Sequence, residues 1–188
     1  ETELRGMDLT VRSGEILGIA GVSGNGQREI GDLILGLRRP VRGKKLLWGE
    51  DASSWPVRRV RQRGVGFVPE DPLGMAVFPG LSVRENLALG SGRAYRKGLS
   101  TDWQRLTDEM RASFGRLGLD MPPLEAPLGT LSGGNLQKAV IARELTADPE
   151  LLIAMYPTRG LDVRSSAGLR TRLVEARGSG RGVLSPKH

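Results

Sequence analysis

The residues whose types and spacing point most directly to chemistry are two glycine-rich segments, Gly21-Val22-Ser23-Gly24-Asn25-Gly26 and Leu131-Ser132-Gly133-Gly134. In a loop of pattern GxxxxGK[ST] between a strand and a helix, glycines let backbone N–H groups turn toward phosphate oxygens, and the helix N-terminus adds partial positive charge. Gly21, Gly24 and Gly26 stand at that spacing, but Gln27 takes the lysine position and Arg28 the position of the Ser or Thr that would bind Mg²⁺. The loop keeps its shape and loses its point charge and its metal ligand. Taken alone it reads equally well as an ordinary tight turn. Arg28 offers another cation, yet Glu29 beside it is read first as a carboxylate that satisfies the helix dipole in the first turn, with simple pairing of the two charges as the alternative. Ser132 and the glycines after it present a hydroxyl and free N–H groups at a helix start, which is either a second anion site or a simple N-cap.

The elements that must hold these segments follow from the apolar pattern. Ile16 to Ala20 is a short continuous apolar run, as for a parallel strand covered on both faces. After the glycine loop, Ile30, Leu33, Ile34 and Leu37 make the stripe of a core-facing helix that Pro40 and Gly43 close. Val65 to Pro69 reads as a second buried strand. From Ser82 to Thr130 the sequence turns helix-forming, with a basic turn Gly92 to Gly98 and a helix whose Trp103, Leu106, Met110, Phe114 and Leu117 share one face. Pro122-Pro123 and Pro127 make an extended connector into Leu131, and Leu136, Val140, Ile141 and Leu145 mark the following helix. Leu151 to Met155 is a third strand. A helix through Leu169 and Leu173 follows, and Val183-Leu184 begins a fourth strand that the sequence is read as leaving unfinished, with an exposed edge. Strands alternating with helices imply an α/β parallel sheet whose ligands bind where strand ends meet helix N-termini.

Composition narrows the classes. The 188 residues carry 28 Lys and Arg against 21 Asp and Glu, a net charge of +7, and no cysteine, which excludes disulfides, thiolate metal sites and a thiol nucleophile. No apolar run reaches the ~20 residues of a membrane-spanning helix. The basic residues read as scattered apart from pairs such as Arg38-Arg39 and Arg58-Arg59, with no aromatic-rich basic stripe, so no direct nucleic-acid partner is expected.

The segment from Leu131 to Lys138, LSGGNLQK, resembles the signature motif of ATP-binding-cassette ATPases, and it stands before a helix and a buried strand as in that family. Tyr156 to Asp162 resembles the Walker B strand running into the D-loop, matching at Pro157, Thr158, Gly160, Leu161 and Asp162. The family's strand-terminal aspartate and catalytic glutamate fall on Met155 and Tyr156, and a phenol of pKa near ~10 is no carboxylate base at neutral pH. Val68-Pro69-Glu70-Asp71 resembles the Q-loop with Glu70 in the glutamine position, followed by Pro72 where arginine is common. Together with PGLSVRENL these motifs are similar to the second, degenerate ATPase half of tandem-domain importers for simple sugars and nucleosides.

The resemblance implies a P-loop NTPase (RecA-like) core with an inserted helical subdomain, truncated at both ends: core residues 1–81, helical subdomain 82–130, and signature, Walker B-like strand and D-loop in 131–188. The family's upstream base-stacking aromatic and downstream switch histidine have no counterpart, and His188, the single histidine, is not assigned that role. The implied cofactor is ATP, held weakly or structurally by Gly21, Ser23, Gly24, Asn25, Gly26, Gln27 and Arg28, with no metal ligand or catalytic residue assigned in that site. Leu131, Ser132, Gly133, Gly134, Asn135, Leu136 and Gln137, with Gly160, Leu161 and Asp162, would act on ATP and Mg²⁺ held by an intact, head-to-tail partner cassette. The implied partners are that cassette, transmembrane permease subunits and, indirectly, a solute-binding protein, placing the chain in the cytoplasm at the inner face of the cell membrane. Three other readings remain: a self-sufficient ATPase using Arg28 and Glu70, a nucleic-acid-associated cassette, or a remnant without function.

Overall fold

The computed structural model describes residues 3–22, 24–89 and 95–187. Ser23, the first three residues of the basic turn at 92–98 and His188 lie outside the described residues. The backbone divides into two units, one of residues 1–70, 149–156 and 176–188, the other of residues 71–148 and 157–175.

The first unit is built on a four-stranded parallel sheet. Its strands are β1 (Ile16–Ala20), β4 (Val65–Val68), β7 (Leu151–Ala154) and β8 (Gly182–Lys187), in the order β1-β8-β7-β4. Between β1 and β4 come α1 (Gln27–Leu35), a hairpin of β2 (Leu46–Leu47) and β3 (Glu50–Asp51), and α2 (Val57–Gln62). The apolar residues of α1, Ile30, Ile34 and Leu35, are buried with Val65, Ile153 and Leu184 from the sheet, and this shared core fixes the helix over the strand ends.

Three expectations are corrected here. The first helix stops at Gly36 instead of running to Pro40, because Gly36 takes a left-handed φ of 90° and its N–H returns to the carbonyls of Asp32 and Leu33. Leu37 is consequently exposed, and the buried Lys45 donates its Nζ to the carbonyls of Leu33 and Ile34 at the helix end. β1 is not covered on both faces among the described residues: Ile16, Gly18 and Ala20 are exposed while Leu17 and Ile19 pack on the core. β8 is a six-residue interior strand, with Val183 paired to Ile16 on one side and Leu152 on the other. The sheet edges are β1 and β4.

The basic residues are spread along the chain, with one stretch denser than its surroundings. Residues 38–63 hold nine Lys and Arg against Glu50 and Asp51, a surplus of seven that equals the net charge of the chain, and they include Trp48 and Trp55.

The second unit is mainly helical: α3 (Pro72–Met75), α4 (Val83–Ala88), α5 (Trp103–Arg116), α6 (Gly133–Thr146) and most of α7 (Val163–Gly178), with a small hairpin of β5 (Arg96–Lys97) and β6 (Ser100–Thr101). Capping explains several starts. Ser82 and Glu85 form a reciprocal capping box on α4, and Asp102 accepts the Arg105 N–H at the start of α5. Leu106, Met110 and Phe114 of α5 are buried as their spacing requires, with Val140 and Ile141 of α6 in the core of the same unit.

Candidate functional site

The first unit carries the glycine loop. Gly24 and Gly26 have φ of 90° and 100°, a region that side-chain-bearing residues rarely adopt, so the spacing of glycines here is a backbone requirement. Gly26 caps α1 without any side-chain hydrogen bond, which leaves the helix's first N–H groups facing the loop without a cap. The Gln27 side chain is buried and turns back under this loop. Its Nε2 donates to the Val22 carbonyl at 3.1 Å and lies 2.6 Å from where a β-carbon on Gly21 would stand. Its Oε1 is buried with no hydrogen-bond partner among the described residues. The amide thus ties the loop from below as a neutral group, and its free atom is an acceptor, which repels a phosphate oxygen. Arg28 pairs with Asp32 one turn on, at 3.8 Å, and the alternative pairing with the adjacent Glu29 is not seen among the described residues. The i,i+4 spacing places Asp32 on the same helix face as Arg28, and Glu29 stands in the first turn of the helix.

Met155 and Tyr156, just past β7, belong to the apolar core of this unit. The Met155 N–H donates to the Val68 carbonyl, and its sulfur reaches 3.1 Å from a β-carbon built on Gly31 in α1. A thioether against a helix glycine is core packing, and it fills the space that a strand-terminal carboxylate would need. Tyr156 is buried and has a left-handed φ of 46°. Glu70 follows β4 and is half-buried.

The second unit carries the other motif. Ser132 caps α6, and its Oγ accepts from the Asn135 N–H at 3.4 Å, a long contact that leaves the hydroxyl proton available to another acceptor. Ser132 and Gly133 are exposed, and a β-carbon on Gly133 would meet nothing within 4 Å among the described residues. Gly134 differs: there a β-carbon would stand 2.7 Å from the Gly160 carbonyl. Leu136 is anchored in the core, and the buried Gln137 donates toward the Pro157 carbonyl at 3.5 Å. Lys138 then pairs with Asp162 at 3.1 Å, while Asp162 also accepts from the N–H and hydroxyl of Ser165 at the start of α7. The Ser165 backbone bond, then its hydroxyl, then Lys138 hold the Asp162 carboxyl well below the usual range. Gly134, Gln137 and Lys138 therefore join the start of α6 to the loop from Pro157 to Asp162, with Leu161 turned by its own N–H bond to the Thr158 carbonyl.

A family model described as ABC transporter matches residues 4–159. The chain belongs to the ABC transporter family. Relatives include a glucose import ATP-binding protein of Haloferax volcanii, 41% identical over 186 residues, covering 96% of this chain and 34% of that protein. A ribose import ATP-binding protein of Rubrobacter xylanophilus is 40% identical over 182 residues, covering 96% and 36%. A nucleoside import ATP-binding protein of Lactococcus lactis is 36% identical over 186 residues, covering 97% and 36%. The chain spans about a third of the length of the curated relatives it matches. Among solved structures, a dimeric ATP-binding cassette bound to ADP and phosphate superposes with a TM-score of 0.81 at 24% identity, covering 96% of this chain and 77% of that one. The ATP-binding subunit of another ABC transporter gives 0.77 at 27% identity, covering 96% and 70%. The fold is accordingly the P-loop NTPase sheet of ABC ATPases.

In this ABC transporter chain the loop backbone suits a phosphate: left-handed glycines and an uncapped helix start remain. The side chains do not suit Mg²⁺, which takes oxygen ligands in near-octahedral geometry. A guanidinium already paired to Asp32, a buried thioether and a buried amide offer no such set. Sequence reasoning overlooked Gly31, Asp32 and the Lys138 link to Asp162. Asp32 was readable from its spacing to Arg28, but the ion pair across 24 residues has no local signal.

Proposed function

We propose that this chain is the nucleotide-binding domain of an importer for simple sugars or nucleosides, the cassette whose own ATP site does not hydrolyse and whose signature completes the site of an intact partner cassette. One contrast carries the reading. Where charge would act on nucleotide, the Gln27 amide is spent on the Val22 carbonyl and Met155 on Gly31. At the start of α6, Ser132 and Gly133 stay exposed with a hydroxyl and helix N–H groups to offer. The link from Lys138 to Asp162 keeps the D-loop with that helix, so both would meet the partner's nucleotide together.

The pairing of Arg28 with Asp32 weighs against a self-sufficient ATPase that recruits Arg28 as a substitute cation. The importer reading and its substrate class rest on the relatives named above. Permease subunits would seat the domain at the inner face of the cell membrane, with a solute-binding protein delivering the solute. Exposed Leu73, Met75 and Phe78 after Glu70 supply an apolar surface for such a contact.

The test is phosphate release by the purified chain and by the complex reconstituted with an intact cassette and permease. The chain alone is expected to stay at background, and turnover in the complex to require Ser132. Mg²⁺-dependent release by the chain alone that survives further purification would overturn the reading.

A further inference from the structure

One stretch of the first unit, from the end of α1 through the β2–β3 hairpin to the end of α2, holds nine Lys and Arg against two acidic residues. The segments are tied together. A β-carbon on Gly36 would stand 2.6 Å from the Trp55 carbonyl, so the end of α1 abuts the start of α2. Arg63 and Arg59 both pair with Glu50 of the hairpin, Arg63 lies over Trp48 at 5.7 Å, and Arg59 over Trp55 at 4.0 Å. Of the other cations in the stretch, Arg38 pairs with Asp32, Lys45 is buried and Arg61 donates to the Val65 carbonyl, whereas Arg39, Arg42, Lys44 and Arg58 are exposed, and Arg39, Arg42 and Arg58 make no ion pair among the described residues. Interleaved with them are exposed apolar side chains: Val41 at 98% exposure, Leu46 at 59% and Trp48 at 43%.

Trp48 is itself held in an uncommon state. It takes φ 51° in the two-residue turn Trp48-Gly49, a place that favours Asn or Gly, and the turn presents its indole outward. An exposed tryptophan in a left-handed conformation, with the Arg63 guanidinium over its ring, is an uncommon choice for a two-residue turn.

We propose that this basic, tryptophan-bearing surface binds an anionic lipid bilayer, with Arg39, Arg42 and Arg58 on headgroup phosphates and Trp48, Val41 and Leu46 at the headgroup–acyl boundary. Charge complementarity selects an anionic partner, and the apolar side chains select among such partners. Aliphatic groups gain little from nucleic acid, whereas they and indole partition into the bilayer interface. Single-stranded nucleic acid also needs open aromatic faces for base stacking. Here Trp55 is buried and Arg63 stands over the Trp48 ring.

The experiment is co-sedimentation of the full chain with vesicles of phosphatidylcholine alone and of phosphatidylcholine mixed with phosphatidylglycerol, at low and high salt. Binding is expected only with the anionic lipid, and it should weaken as salt rises. The triple variant Arg39→Glu/Arg42→Glu/Arg58→Glu should lose at least about a hundredfold in binding, at about fivefold for each basic side chain near an anionic surface. Trp48→Asn suits the left-handed turn and keeps the fold, and it should lose the fluorescence quenching that brominated lipid produces in the parent chain. Circular dichroism checks both variants for folding. The proposal is overturned by binding indifferent to headgroup charge, by folded variants that bind or are quenched as the parent is, by no binding, or by a DNA oligonucleotide that displaces the vesicles at equal salt.

Discussion

The Gln27 amide lies directly beneath Gly21, its nitrogen 2.6 Å from the position of a β-carbon there and 3.1 Å from the Val22 carbonyl. A methyl group at Gly21 must therefore expel the amide. Gly21→Ala is expected to lower stability by about 1–2 kcal/mol, the scale of a lost hydrogen bond plus displaced packing. In Gln27→Ala the same methyl finds room, so the double variant should recover most of that loss. Urea midpoints of the four proteins measure the coupling; strictly additive effects would mean that the two residues do not meet.

How much of this was legible in the sequence differs from residue to residue. The glycines at 24 and 26 announced the loop because their left-handed φ excludes most other residues, and Ser132 before an apolar stripe announced the start of α6. The inward turn of Gln27 is a rotamer choice set by the Val22 carbonyl, and no spacing rule encodes it. The hairpin at Leu46 to Asp51 escaped notice because Trp-Gly stands where Asn-Gly would signal a two-residue turn. The end of α1 was misplaced because Leu37 continues the apolar stripe, although Gly36 already turns the chain against Trp55. The concentration of basic residues in 38–63 was countable from the start, and only the folded hairpin and α2 show it as one surface.

Met155→Asp restores the acidic residue that the family places at this strand end. It is expected to destabilise the chain by about 3 kcal/mol or more and to restore no hydrolysis. The site is in the apolar core beside Ile153, with Gly31 against the sulfur and no cation in that cluster among the described residues, so a carboxylate would be buried without a partner. Burial raises such a carboxyl's folded pKa, so the penalty should grow as pH rises from about 4 toward neutrality. Thermal unfolding at several pH values reads this directly, and a variant as stable as the parent at pH 7 would refute it.

Asp162 predicts a dependence of the opposite sign. Its folded carboxyl is held below the unfolded value by Ser165 and Lys138, so its ionised form stabilises the fold above about pH 4, and that contribution is lost as pH falls below the unfolded pKa. Asp162→Asn should therefore be less stable than the parent at pH 7, with the gap closing as the pH drops below about 4. Lys138→Met should show a smaller deficit with the same trend, because it removes one of the three hydrogen bonds to the carboxylate. Urea unfolding across this range is the measurement, and a pH-independent gap would assign the effect to shape and not to charge.

The two glycines of the signature are expected to separate folding from turnover. Gly134→Ala brings a β-carbon to 2.7 Å from the Gly160 carbonyl, a backbone atom that does not yield easily, so this variant should unfold at lower temperature even as the isolated chain. Gly133→Ala meets nothing within 4 Å among the described residues, and the isolated chain should be as stable as the parent. In the assembled transporter the order of effects should change, because the open space at Gly133 is where a partner's phosphate would have to come closest. A methyl group there would hold the two cassettes apart, and turnover should fall by roughly a hundredfold or more, comparable to removing one well-placed donor to developing negative charge, about 3–4 kcal/mol. Ser132→Ala should cost a similar factor with no loss of chain stability beyond about 1 kcal/mol, since its 3.4 Å capping contact is long. Gln27→Ala should leave turnover nearly unchanged, because its amide serves the Val22 carbonyl and not a nucleotide. Steady-state ATPase and solute uptake of the reconstituted complex, set beside melting of each isolated chain, decide the matter. Full turnover in Gly133→Ala would remove the signature from the active site, and a Gln27→Ala loss as large as that of Ser132→Ala would make this chain's own loop catalytic.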